Sequence, residues 1–217
     1  ALGYGGAESQ TLFDRFWPAD AHLIGKDILR FHAAIWPGML LSAGLPLPKQ
    51  ILVHGFITVD GQKMSKTIGN VVDPVELVEK YGTDPVRYFL LREIPSGGDG
   101  DFSYKKFEER YNGDLANGLG NLVARVVTLA DKLKVKNETL KITIKNSKFE
   151  TELIEIKENY NRAIEEFRLN EALEHIWKLI KAADVYINDE KPWEQEKPEV
   201  IADLLLLILA ITKLLEP

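Results

Sequence analysis

The sequence predicts an α/β segment followed by an all-α segment, and three observations carry that reading. The first hundred residues are rich in Gly, Pro and aromatic residues, with short apolar runs of mixed strand and helix character. The string Ser96-Gly97-Gly98-Asp99-Gly100 then interrupts the chain with turn formers. Beyond it, apolar residues recur at helical spacing in four long stretches, the pattern of a helical bundle. With 217 residues, 45% of them hydrophobic, each part can bury a core. The absence of cysteine excludes a disulfide scaffold and any Cys-ligated metal. A net charge of −6, from 27 Lys+Arg against 33 Asp+Glu, argues against a bulk-electrostatic nucleic-acid binder. The longest apolar run, 204–211, is far below the ~20 residues of a membrane span and reads as a buried helix.

In chain order, Ile28, Leu29, Phe31, His32, Ile35 and Trp36 are spaced for an amphipathic helix that starts near Asp27, an acceptable N-cap. Residues 50–59 are β-rich and end in the turn signal Asp60-Gly61, so one strand is expected there. Asp73-Pro74 and Asp84-Pro85 each read as an N-cap followed by proline at the first helical position. Ser103 caps a long helix through about residue 134. Phe107, Tyr111, Leu115, Leu119, Leu122, Val126, Leu129 and Leu133 lie on one side of it. Further helices are expected at about 147–168, 170–188 and 198–216.

The sharpest motif is Asp60-Gly61-Gln62-Lys63-Met64-Ser65-Lys66-Thr67-Ile68-Gly69-Asn70. Two lysines three residues apart, on a small-residue loop after a hairpin-like segment, can close over a polyphosphate and neutralise charge as a phosphoryl bond rearranges. Gly61 and Gly69 give such a lid its hinge freedom. Taken alone, two lysines on a loop read more readily as a solvated surface, and the full string is what shifts that balance.

The full string Lys63-Met64-Ser65-Lys66-Thr67, followed by Gly69-Asn70-Val71-Val72-Asp73-Pro74, resembles the K-M-S-K-S signature of class I aminoacyl-tRNA synthetases. Thr67 replaces the final serine and keeps its hydroxyl. Three further stretches resemble the methionyl-tRNA synthetase family in particular. They are residues 22–32 with Trp36-Pro37, then residues 120–125, then Tyr186-Ile187 with Lys191-Pro192-Trp193. The resemblance implies the second half of a Rossmann-type catalytic domain in 1–67, ending in the lysine loop. A stem-contact fold in 68–100 follows, which includes Arg87-Tyr88, and then an antiparallel anticodon-binding bundle in 101–217.

The same resemblance assigns site residues. Gly25 and Asp27 would hold the adenylate, with His54 and Ile57 beside the adenine. Ile28 and His32, at i and i+4, would line the methionine pocket. Spacing alone also allows Asp27 as a mere cap, Ile28 as core and His32 as a satisfied buried histidine. Lys66 would contact the departing pyrophosphate, with Lys63 assisting loop closure. Asn121 and Arg125, again at i and i+4, would read an unstacked base of the CAU anticodon. Trp193, presented by Pro192, would offer a stacking surface. Asp184 stands where the family pattern has asparagine, which puts that position's role in doubt.

The implied reaction joins methionine and ATP, accompanied by Mg²⁺, into an adenylate, then transfers the acyl group to tRNA(Met). It needs positioning and charge stabilisation rather than a protein nucleophile. The H-I-G-H string of the class is not among the four histidines, and any zinc site would lie upstream with it. The chain lacks an initial Met and stops as a helix would be ending. A fragment is therefore expected, needing an N-terminal catalytic half as partner and nearly inactive alone. With no charged-then-apolar leader or span, the expected setting is cytoplasmic, away from membranes.

Overall fold

Two parallel strands form the first sheet. In the computed structural model, which describes residues 10–135 and 147–216, β1 (His22–Gly25) pairs with β2 (Ile51–His54). The register sets His22 against Ile51 and Gly25 against His54. A short helix α1 (Gln10–Phe16) precedes them. Between them runs a helical stretch made of a 3₁₀ turn (Lys26–Ile28), a π segment (Phe31–Ile35) and α2 (Trp36–Ser42). Asp27 is therefore not the N-cap. Gly25 takes that position without a side-chain bond, and Asp27 lies inside the first turn.

The expected single strand over residues 50–59 is two strands in two sheets. Ordinary side chains do not fit where it divides: a Cβ on buried Gly55 would stand 2.2 Å from the Gly98 carbonyl oxygen. After that crossing, β3 (Ile57–Val59) turns through Asp60 (φ 50°) and Gly61 (φ 75°) into β4 (Gln62–Lys63). Positive φ at both central residues is the I′ hairpin that Asp-Gly favours. On its other side β3 pairs in parallel with β5 (Gly100–Phe102).

Helix α3 (Pro74–Tyr81) starts as expected, with the Asp73 carboxylate accepting from Val75 N at 2.8 Å. Helix α4 (Thr83–Glu93) differs. Its N-cap is Gly82, so Asp84-Pro85 lie within the first turn, where proline's missing N–H costs no intrahelical bond. Val59, Leu77, Val86, Phe89, Phe102 and Phe107 form one small core. Residues on both sides of the glycine-rich string 96–100 thus share a sheet and a core.

Ser103 caps α5 (Tyr104–Arg110) through Lys106 N, as expected. The long helix is not uniform, however. A ten-residue π segment (Tyr111–Gly120) separates α5 from α6 (Asn121–Lys132). The wider turn rotates the facing of the residues beyond it. The expected apolar stripe accordingly divides: Phe107 and Tyr111 join the small core, while Leu119, Leu122, Val126, Leu129 and Leu133 join the bundle core.

The bundle is completed by α7 (Ser147–Glu165), α8 (Leu169–Glu190), the short α9 (Pro192–Gln195) and α10 (Pro198–Leu215). Ile176, Leu179, Ile187, Ile201, Leu204, Leu207 and Ile211 are fully buried in it. Helix α7 stops short of residue 168 because Phe167 takes a left-handed conformation (φ 56°). The α/β part docks onto α8 through Tyr88, whose ring stacks on Trp177 at 4.5 Å and whose hydroxyl donates to Asp114 at 2.6 Å. Burial pushes the Tyr88 phenol well above its ordinary range, and its bond to Asp114 adds to the shift. No helix among the described residues is long and apolar enough to cross a membrane. The opening Ala-Leu-Gly-Tyr-Gly-Gly, the join over 136–146 and Pro217 lie outside the described residues.

Candidate functional site

The carboxyl ends of β1 and β2 bring three expected residues together. Gly25 lies opposite His54 in the register. A Cβ on Gly25 would stand 2.6 Å from the Asp27 carboxylate and 3.7 Å from the His54 ring. Only glycine leaves room for Asp27 to fold back over the strand end, the place where open parallel sheets take ligands. The His54 Nδ1 lies 2.9 Å from the Gly55 carbonyl. Ile57 is 36% exposed at the start of the second sheet.

His32 lines a groove of about 600 Å³ with His22, Phe31, Ile35, Trp36 and Met39. Its ring meets His22 edge-on at 6.1 Å, and His22 in turn contacts Trp17 at 6.3 Å. Ile28 is not among the residues lining this groove. It is 41% exposed, and its carbonyl oxygen lies 3.1 Å from His32 Nδ1. The i, i+4 rule belongs to the α-helix, and here a 3₁₀ turn runs into a π segment. His22 and Phe31 line the same groove as His32 and were not singled out from the sequence, although both lie within the string that carried the resemblance.

The lysine loop leaves β4 at Lys63. Asn70 closes its base: its side-chain oxygen accepts from Ser65 N at 2.8 Å and its Nδ2 donates to the Lys63 carbonyl at 3.2 Å. Ser65 shapes the tip by accepting from Thr67 N and, through its carbonyl, from Gly69 N. Met64 packs onto the small core, whereas Lys63 and Lys66 are exposed. Among the described residues neither lysine has a carboxylate partner, so both ammonium groups are free to take an anion.

In the bundle, Arg125 of α6 faces Trp193 of α9 across a groove of about 470 Å³, lined also by Ala124, Thr128 and Leu129. The guanidinium carbon lies 5.9 Å from the indole centroid. Nη2 donates to Asn188 at 2.8 Å and Nη1 lies 3.8 Å from Asp184. Burial raises the Asp184 carboxyl above its ordinary range, and Arg125 opposes that shift. Asn121 is exposed one turn before Arg125 on α6. Pro192 is fully buried after the left-handed Lys191 (φ 42°), which leaves Trp193 40% exposed. Asn188, one helical turn after Asp184, was missed by sequence reasoning; an i, i+4 pair on α8 was the available signal. No group of three or more metal-ligating His, Asp or Glu side chains occurs among the described residues.

The parallel strand end, the exposed lysine loop and the aromatic groove of the bundle are carried on the fold of a class I aminoacyl-tRNA synthetase. Residues 3–127 match the family described as tRNA synthetases class I (M), and the chain belongs to that family, the methionyl-tRNA synthetases. It is 48% identical to the methionine–tRNA ligase of Clostridium acetobutylicum over 203 residues, 92% of this chain and 31% of that protein. The methionine–tRNA ligase of Thermotoga maritima is 46% identical over 200 residues, 89% of this chain and 31% of that protein. Mycobacterium tuberculosis methionyl-tRNA synthetase in complex with methionyl-adenylate superposes with a TM-score of 0.88 at 38% identity, covering all of this chain and 45% of that one. The chain thus spans about a third of the length of the curated relatives it matches. These likenesses also bear out the expected fold class, α/β followed by all-α.

Proposed function

We propose that the chain is the ATP-loop and anticodon-reading portion of a methionine–tRNA ligase. On this reading residues 1–67 belong to the catalytic domain, 68–100 to a stem-contact fold and 101–217 to the anticodon-binding bundle. The Asp27 carboxylate, beside Gly25 and His54, holds the ribose and amino-acid end of the adenylate. His32 and its aromatic neighbours receive the methionine side chain. The methionine carboxylate attacks the α-phosphorus in line, and the bond to pyrophosphate breaks. Lys66 follows the leaving charge while Lys63 steadies the loop. Mg²⁺ enters as part of the ATP substrate. Leu23 (71%), Phe31 (62%), Met39 (59%) and Leu41 (65%) expose an apolar surface around the first sheet, which suits coverage by an N-terminal catalytic half.

The observation that carries the reading is the Arg125–Trp193 groove. An indole face beside a fixed guanidinium stacks and hydrogen-bonds an unstacked base, with Asn121 one turn away. The test is filter binding of the 217-residue chain to tRNA bearing CAU and to one with a changed anticodon, at two salt concentrations. A preference for CAU that weakens about tenfold or more in Trp193→Ala supports the reading, since a stacked base is worth roughly 1–3 kcal/mol. Equal, salt-sensitive binding of both tRNAs rejects it.

A further inference from the structure

We infer that Asp101 is a positioning residue for the lysine loop, fixing the loop's root through the carboxylate it extends from the neighbouring strand. The inference rests on the reading of Lys63 and Lys66 as polyphosphate-binding groups and adds the residue that sets their starting geometry. Asp101 lies in β5, two strands from the loop. Its Oδ1 accepts from the Gly61 backbone N–H at 2.7 Å and from the Thr58 hydroxyl at 2.7 Å. Its Oδ2 accepts from Lys106 Nζ at 3.3 Å, on α5.

The sheet explains why this carboxylate matters. Hairpin β3–β4 has only two paired positions, Val59 with Gln62 and Thr58 with Lys63. So short a hairpin holds its geometry poorly by itself. Thr58 is also the partner of Asp101 in the parallel pairing. Lys63, Thr58 and Asp101 therefore form one row across the sheet, with side chains on one face. Asp101 holds the second residue of the turn, Gly61, from which the chain reaches Lys63 in two steps. The same carboxylate accepts from Lys106, in the helix whose run continues through the π segment to Asn121 and Arg125. It ties the loop's root both to its own sheet and to the helical run.

Hydrogen exchange of the 217-residue chain tests this, with Asp101→Ala, Asp101→Asn and added inorganic tripolyphosphate as the anion probe. In Asp101→Ala, amides 61–65 are expected to exchange about tenfold faster, the scale for a lost bond to a charged group, while α8 exchanges as in the parent chain. Asparagine keeps an oxygen acceptor for Gly61 and Thr58 and should restore slow exchange. Tripolyphosphate should protect 62–70 in the parent and the Asn variant, and require about tenfold more anion in the Ala variant. Unchanged exchange at 61–65 in Asp101→Ala, with α8 intact, overturns the inference, as does equal tripolyphosphate affinity in parent and Ala variant. Failure of the parent chain to be protected overturns the polyphosphate reading instead, and exchange at the hinge alone then decides the role of Asp101.

Discussion

Arg125 donates through Nη2 to Asn188 Oδ1 at 2.8 Å while its guanidinium carbon lies 5.9 Å from the Trp193 ring. The two contacts serve different ends. On the proposed reading the indole supplies a face for a base, while Asn188 restricts the rotation of the cation beside it. A long arginine side chain otherwise loses rotamer freedom on meeting its ligand, so a guanidinium already held in place binds at lower entropic cost.

Asn188→Ala should therefore weaken binding of a CAU anticodon stem-loop about five- to tenfold, the scale of one ordinary hydrogen bond, since the lost contact is exposed and only positions the cation. Asn188 is exposed, so thermal unfolding of the variant should match the parent. Fluorescence anisotropy with a labelled stem-loop measures the first and a melting curve the second. Unchanged affinity would assign the orientation of Arg125 to Asp184 and Trp193 alone.

Asp184 gives a pH dependence of opposite sign to the usual carboxylate. Burial raises its folded-state pKa, with Arg125 pulling the other way, so the fold disfavours its ionised form. Its contribution to stability is full below the ordinary carboxylate pKa and is lost as pH rises through the raised value. Asp184→Asn removes that loss. The melting temperature of the variant relative to the parent should rise between about pH 4 and pH 7, with the variant the more stable at pH 7. A difference that shrinks over the same range would mean that attraction to Arg125 outweighs burial.

Much of the fold was legible because it obeys local chemistry. Asp73 and Ser103 cap helices, Asp60-Gly61 makes a hairpin, and the long apolar stripes make the bundle. The features that were not legible depend on contacts distant in sequence. Nothing near Gly55 in the chain announces that the Gly98 carbonyl will press on it, so one expected strand became two. The π segments are equally silent: the residues 111–120 keep a helix-like pattern, yet the stripe is shared between two cores. The site shows the same division. Gly25, Asp27 and His54 meet, as do Arg125 and Trp193, whereas Ile28 stays out of the His32 groove because its helix is not α there.

Gly55→Ala tests the crossing directly. The added methyl would overlap the Gly98 backbone, which has no flexible side chain to yield. Such overpacking costs about 1–3 kcal/mol, and the backbone position of the clash puts this case at the upper end. Urea unfolding should show that loss. Exchange should rise at Phe56, whose N–H donates to Asp99 at 2.8 Å, before it rises in the bundle. A variant as stable as the parent would show that residues 96–100 move aside without cost.

The lysine loop separates stability from binding most cleanly, because its charged groups and its frame are different residues. Lys63 and Lys66 are exposed without carboxylate partners among the described residues, so Lys66→Ala should leave stability within about 0.5 kcal/mol of the parent. The same change removes a cation that an incoming polyphosphate would meet, and protection of 62–70 by tripolyphosphate should be largely lost. Asn70→Ala does the reverse. It keeps both cations but removes the two bonds that join Ser65 N to the Lys63 carbonyl through one side chain. Loop amides should then exchange faster without ligand, and tripolyphosphate should still bind, more weakly. If Lys66→Ala and Asn70→Ala proved indistinguishable in anion binding, the loop would act through its shape and not through the charge at Lys66.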